Sequence, residues 1–213
     1  MRPIHKQCEP RELRAHRLAG GRFADPQGDT RWKERLQDAL LRDQGKICCY
    51  CMRRLDRKTM KVEHYRCQER NPENELEYDN LFGACPGNEG SPRARQTCDA
   101  RKRNDDLTIN PSGNIEPFLR YLSDGAIDSS VPEYRRDLDA TLNLNLPELR
   151  RARVAVVEGI IAGLSRLMPG KWRGDRLREE LARWETIDQQ GNYREFVAVA
   201  VYFLKRRLRR TES

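Results

Sequence analysis

The sequence predicts a mostly helical α+β chain in three parts: a helical arm over residues 1–45, a small cysteine-pinned module over 46–125, and a helical subdomain over 126–213. Three observations carry that prediction. Paired cysteines crowd between Cys48 and Cys98, where apolar sequence is too thin to build a core of its own. Apolar residues recur at helical spacing from Trp32 to Leu41, and again through the part that follows Pro132. The length of 213 residues suits one core, or a small module beside a larger helical part.

Composition narrows the setting. The chain is polar, with 35% charged residues and a mean hydropathy of −0.91, and it carries a net charge of +8. A basic balance favours a polyanionic partner such as nucleic acid. No apolar run approaches the roughly 20 residues that span a bilayer, so no membrane is expected. The first residues, Met1-Arg2-Pro3-Ile4-His5-Lys6, lack the apolar stretch of a signal peptide. A cytoplasmic protein is expected, in which paired cysteines bind metal more often than they form disulfides. Seven cysteines is an odd number, consistent with four ligands and three spare thiols, Cys8, Cys49 and Cys67.

Residues 1–28 read as turn-rich and basic, with Gly20-Gly21 and Pro26 interrupting any long helix. Asp29 or Thr30 is placed to cap the helix whose apolar face is Trp32, Leu36, Ala39, Leu40 and Leu41, and Gly45 ends it. His5 and His16 have no ligand-like neighbours in sequence and read as surface histidines. Cys48-x-x-Cys51 reads as a knuckle, Lys61 to Tyr65 as a short strand, and Asn71-Pro72 as a turn. Pro86 to Thr97 is a loop, and Cys98 to Asp105 opens a helix with Asp99 in its first turn. Leu107 to Ile115 looks like a strand, a turn and a second strand.

The remainder is helical. Pro147 suits a first helical position, and Leu149, Val156, Ile160, Leu164 and Leu167 form one stripe ended by Pro169-Gly170. Leu177, Leu181, Trp184 and Ile187 form a second stripe; Phe196, Val199, Ala200, Phe203 and Leu204 form a third. All three read as core. The basic end, Lys205 to Arg210, suits either a helix C-terminus or a phosphate or partner contact.

Four cysteines in two pairs can close a tetrahedral zinc site of structural type. Cys48, Cys51, Cys85 and Cys98 are the expected ligands, although twelve residues separate the second pair. Cys67 is the rival ligand. Interleaved with the cysteines are the dipeptide Glu63-His64, the lone Asn80 and a second acid, Asp99. Histidine titrates near neutrality and suits a general base. Carboxylates suit a hard dication.

The order Cys48-Cys49-Tyr50-Cys51, Val62-Glu63-His64-Tyr65, Tyr78-Asp79-Asn80-Leu81, Cys85 and Cys98-Asp99-Ala100-Arg101-Lys102 resembles the HNH endonuclease family. Within that family it looks most like the nuclease subunit of Septu-type and retron-associated bacterial defence systems. The resemblance covers about residues 46–125 and implies a zinc-stabilised ββα-metal fold. It also implies metal-dependent hydrolysis of phosphodiester bonds. By resemblance, Glu63 and Asp99 hold a catalytic Mg²⁺ or Mn²⁺, His64 is the general base, Asn80 ties a loop to the backbone of the base, and Lys102 meets a phosphate. Arg93, Arg95, Arg101, Lys102 and Arg103 are the expected nucleic-acid contacts near the site. The implied partners are an ATPase and, in retron versions, a reverse transcriptase with its DNA–RNA product. Glu63 stands where the family more often has Asp, and Asp99 where it has Asn or His. Two other readings stand beside catalysis: a degenerate scaffold that grips nucleic acid without cutting it, and an adaptor whose zinc site shapes a docking surface.

Overall fold

The computed structural model describes residues 1–25, 30–167, 170 and 172–211. Pro26, Asp29 and Pro169, expected to break or cap helices, lie outside the described residues, as does the side chain of Leu167. The chain is α+β and 47% helical, with two small sheets. Most of the helix lies beyond Pro132.

The arm holds two packed helices, α1 (Arg11–Leu18) and α2 (Arg31–Asp43). The first was not expected before Gly20-Gly21; the wholly buried Leu13 anchors it. Trp32, Leu36, Ala39, Leu40 and Leu41 of α2 are all buried, as their spacing predicts. Thr30 occupies the N-cap position, but its side chain makes no capping bond. Gly45 ends the helix in the left-handed region, with φ 56°. The amide of Lys46 reaches the Leu41 carbonyl at 2.8 Å and that of Gly45 the Arg42 carbonyl at 3.2 Å. That pair of bonds is the Schellman closure. A Cβ at Gly45 would also sit 2.3 Å from the Tyr193 ring. His16 is half-buried rather than free on the surface, stacked on Trp32 with ring centroids 4.4 Å apart.

The module has a two-stranded antiparallel sheet of β1 (Lys61–His64) and β2 (Leu81–Ala84), followed by a short helix, α3 (Cys98–Lys102). Register pairs Glu63 with Phe82 and His64 with Leu81. Gln44, which follows α2, stands in for a third strand. Its buried amide donates to the carbonyls of Ile47 and Gly83, each at 2.8 Å, and accepts from the Gly83 amide at 2.6 Å. Arm, knuckle and sheet are thereby tied at one residue.

From Leu107 to Ile115 the structure replaces the expected strands with an extended segment and a turn. The amides of Thr108 and Ile109 go to Oδ2 of the fully buried Asp137, at 2.6 and 2.9 Å, rather than to a neighbouring strand. The second sheet lies downstream, as a hairpin of β3 (Leu119–Tyr121) and β4 (Ile127–Ser129). Its turn contains the expected segment boundary at 125/126. Gly125 takes φ 79° there, and a Cβ would lie 2.1 Å from the Arg150 carbonyl.

Four helices complete the chain: α4 (Pro132–Arg136), which runs on as a π-helical turn over Asp137–Thr141, then α5 (Pro147–Leu167), α6 (Gly174–Glu185) and α7 (Val197–Thr211). Among the described side chains, the three stripes point inward with one exception. Ile187 lies beyond the end of α6 and is 48% exposed. One apolar cluster runs from Met1 and Leu13 through the module to Val201, so residues of all three segments share it. A smaller cluster of Ile160, Leu164, Leu177, Ala200, Leu204 and Leu208 joins α5, α6 and α7. Among the described residues, no helix is long and apolar enough to cross a membrane.

Candidate metal centre and adjoining carboxylate site

The four expected cysteines converge. Cys48 and Cys51 lie in a tight turn, where the Cys48 amide bonds the Arg53 carbonyl at 2.8 Å and the Met52 amide the Cys48 carbonyl at 3.1 Å. Met52 takes φ 64° to close that turn. Cys85 follows β2 directly, and Cys98 is the first residue of α3. The twelve-residue loop between them is closed at its neck by the Thr97 amide, 2.8 Å from the Gly87 carbonyl. Only glycine fits at that neck, since a Cβ on Gly87 would lie 2.0 Å from the Thr97 carbonyl oxygen. The wide spacing in sequence therefore becomes a short distance in space.

The four Sγ atoms all lie within 4.8 Å of one another. Cys48 and Cys98 are 3.9 Å apart, and Cys51 and Cys85 are 3.6 Å apart. A tetrahedral zinc with Zn–S near 2.3 Å has sulfur–sulfur edges of about 3.8 Å, so the donor set fits that ion. All four cysteines are buried, and no cysteine in the chain forms a disulfide. Crowding and burial push the thiols of Cys48, Cys85 and Cys98 up, whereas hydrogen bonds from its neighbours bring Cys51 down. A bound cation reverses that penalty by holding all four as thiolates. Outer donors are in place: the Cys85 amide lies 3.4 Å from Cys48 Sγ, and Arg53 Nη2 lies 3.6 Å from Cys85 Sγ. Cys67 is buried outside the cluster and Cys8 is exposed. Cys49 is buried next to the ligands but is not one of the four.

Glu63 lies between the knuckle and α3 and is 1% exposed. Its Oε1 accepts from Tyr50 Oη at 2.8 Å and from Lys102 Nζ at 2.7 Å. Burial and the adjacent Asp99 carboxyl push Glu63 well above the usual carboxylate range, with Lys102 opposing them. Asp99 is half-buried. With Oε1 committed, Oε2 and the Asp99 carboxylate remain as neighbouring hard oxygen donors of the kind a Mg²⁺ or Mn²⁺ ion takes.

His64 has different surroundings. Its Nε2 is 3.0 Å from the Glu75 carbonyl oxygen. A carbonyl only accepts, so Nε2 carries the proton and Nδ1 keeps a free lone pair. The edge of the ring meets Phe23 of the arm, with centroids 4.6 Å apart. Burial holds His64 below its ordinary value. Asn80 closes the excursion that follows β1. Its Oδ1 accepts from the Arg66 amide at 2.7 Å, and its Nδ2 donates to the carbonyls of Arg66 at 3.1 Å and Asn74 at 3.0 Å.

The basic residues need correction. Lys102, expected on a phosphate, is 1% exposed; its ammonium serves Glu63 and, at 2.8 Å, the His64 carbonyl. Arg93 and Arg95 are exposed but face Asp105 at 3.8 Å and Glu148 at 3.3 Å. Arg101 donates to the carbonyls of Ala140 at 3.2 Å and Arg93 at 2.9 Å. Of the five, Arg103 alone is exposed with no side-chain partner among the described residues. Sequence reasoning missed Tyr50, Glu75, Phe23 and Gln44. Tyr50 had a signal, since a residue inside a two-cysteine knuckle is held next to whatever the knuckle packs on. Glu75 acts through its backbone carbonyl, the Gln44 side-chain amide binds the backbone of β2 far along the chain, and Phe23 packs at a distance, which no local pattern announces. No family model matches the chain, and no curated protein matches it.

Proposed function

We propose that the chain is a metal-dependent HNH-type endonuclease that hydrolyses phosphodiester bonds in nucleic acid. In this reading it is the effector of a bacterial anti-phage system of the Septu or retron kind, acting with a partner ATPase. One observation carries the reading: Glu63 and Asp99 meet beside a histidine whose Nε2 is anchored on a carbonyl and whose Nδ1 is left basic. The β1–β2–α3 order agrees with it, as does a cysteine cluster at the root of the same elements.

Glu63 and Asp99 would hold a Mg²⁺ or Mn²⁺ ion, which supplies positive charge where the phosphodiester oxygens gain negative charge. Lys102 and Tyr50 fix Glu63 Oε1 and leave its other oxygen for that ion. His64 Nδ1 takes the proton of the attacking water, and the Glu75 carbonyl keeps the ring oriented while it does so. The same burial that lowers His64 keeps it neutral near pH 7, the form a base requires. Asn80 prevents the 65–80 excursion from drifting away from β1.

A second reading has one observation in its favour. His64 is only 7% exposed and Glu63 1%, which suits a degenerate scaffold serving as a nucleic-acid-binding or adaptor subunit. The deciding assay incubates the purified protein, with and without the partner ATPase, with plasmid and total RNA in Mg²⁺ or Mn²⁺. Metal-dependent cutting that His64→Ala removes supports the nuclease. An assembly whose activity survives His64→Ala supports the adaptor.

A further inference from the structure

A cavity of about 350 Å³, lined by no residue of either centre, lies between the β3–β4 turn, α5 and α7. Its floor is apolar, made by Val157 and Ile161 of α5 with Val199 and Phe203 of α7. Its rim is basic. Arg206, Arg207 and Arg210 line it from the last turns of α7, opposed by one carboxylate, Glu158. Arg206 and Arg210 are exposed and have no hydrogen-bond or ion-pair partner among the described residues. Arg207 is held in place by stacking, 5.3 Å from the Phe203 ring centroid and 5.4 Å from that of Trp172.

The inner wall carries a fourth guanidinium. Arg153 is 1% exposed and donates to the carbonyls of Gly125 at 2.9 Å and Leu144 at 2.7 Å. It has no carboxylate partner among the described residues: the negative groups that act on it are Tyr121 and the thiols of Cys51 and Cys98, and its buried Nε has no hydrogen-bond partner among the described residues. Buried charge is normally paired. Three arginines of α7 and the inner Arg153 thus line one hollow that holds a single carboxylate.

We propose that this cavity binds a phosphorylated nucleoside, either free or as the terminal nucleotide of a strand. The volume falls within the range of about 300–1,000 Å³ typical of small-molecule sites. Tyr202 and Phe203 offer aromatic surface for a base, and base–aromatic stacking is sequence-tolerant. Guanidinium forks match phosphate oxygens bidentately. A ligand with one carboxylate would leave most of the guanidiniums unmatched. Ser123 and Glu158 supply hydrogen-bonding groups for sugar hydroxyls or a base edge. The site shares no residue with the carboxylate–histidine site, so it stands or falls independently of the nuclease reading.

Calorimetric titration of the full chain tests it, with AMP, ATP, adenosine, inorganic tripolyphosphate and a 5′-phosphorylated tetranucleotide as separate probes. A nucleotide is expected to bind at least tenfold more tightly than adenosine or tripolyphosphate. Preference for AMP or ATP identifies a free nucleotide, and preference for the tetranucleotide identifies a strand end. The double variant Arg206→Glu/Arg210→Glu, at exposed positions, should weaken binding at least tenfold at unchanged Tm. Ile161→Trp should block the floor with the same result, while His64→Ala should leave the affinity unchanged. Absence of nucleotide binding would overturn the proposal. So would tripolyphosphate binding as well as ATP, or wild-type affinity in the double arginine variant.

Discussion

Two centres share the module and are built on opposite principles. The cysteine centre consists of four alike donors brought together by hydrogen-bonded turns, and its spacing suits a structural metal such as zinc. The carboxylate–histidine site consists of unlike groups, each restrained by something different: Glu63 by Tyr50 and Lys102, His64 by Glu75 and Phe23, Asn80 by the backbone of Arg66 and Asn74. The first centre is made to stay closed. The second sets Glu63 against the half-buried Asp99 carboxyl and leaves His64 Nδ1 without a hydrogen-bond partner among the described residues, an arrangement the proposed hydrolysis would draw on.

The sharpest break between the two is at Cys51. Cys51→Ala should release the metal and remove a large part of the roughly 10 kcal/mol that structural zinc contributes in small domains. Metal analysis and thermal melting check this. A variant that melts like the wild type would show that the shared apolar cluster suffices without the ion.

Lys102→Met asks whether the second centre also carries stability. It leaves Glu63 buried without its cation, and breaking such a pair costs about 3–5 kcal/mol. Glu63 then holds a proton more tightly folded than unfolded, so the folded state binds more protons and stability falls as pH rises above the ordinary Glu value. Denaturant unfolding at pH 5 and pH 8 should therefore show the larger loss at pH 8. The double variant Glu63→Gln/Lys102→Met should recover much of it. Equal losses at both pH values would mean that Glu63 stays ionised without Lys102.

His64→Ala separates chemistry from fold. The proposed cleavage should drop by about 10²–10⁴-fold, with metal content in the cysteine centre and the proposed nucleic-acid binding unchanged. Wild-type rates in this variant would remove His64 from the role of base. The same residue sets a smaller stability effect. Its value is lowered in the folded state, so below its unfolded value of 6.5 the unfolded chain takes up a proton that the folded chain refuses. Wild-type stability should fall with acidification there by at most about 1.4 kcal/mol per pH unit, and His64→Gln should flatten that slope. An unchanged slope would mean that the ring is protonated in place.

The smallest effect belongs to Arg103. Arg103→Ala should change stability by no more than about 0.5 kcal/mol and lower the salt slope of nucleic-acid binding by about one. An unchanged slope would shift the contact to Arg93 or Arg95, once freed from their acidic partners.

What was legible in the sequence follows the same division. The cysteine cluster and the face of α2 could be read because spacing alone determines them. Asn80 and the acid–histidine dipeptide could be located, but their surroundings could not. The burial of Lys102 depends on α3 packing across β1, an event 38 positions away in sequence. The misplaced strands at Leu107–Ile115 have a similar origin. β-type residues there look like a ladder, yet their amides are satisfied by the Asp137 carboxylate. The three-residue strands of the true hairpin were too short to show a period. Ile187 fits a helical stripe by spacing and lies past the point where the helix ends.

The closed neck at Gly87 and Thr97 makes the loop beyond it a natural place for variation. Asn88 bonds the Arg95 carbonyl at 2.8 Å and Gln96 the Ser91 carbonyl at 2.8 Å from within, while Asn143 holds the carbonyls of Ala94 and Gln96 at 3.0 and 2.9 Å from outside, so the 93–96 side is anchored and the tip around Gly90 is open. Residues added at the tip around Gly90 should leave Cys85 and Cys98 in place, since the neck has already fixed their separation. Loop tips of this kind tolerate insertion. Lineages could thus vary the tip while inheriting the cysteine cluster intact. A laboratory could use the same segment to mount a reporter group.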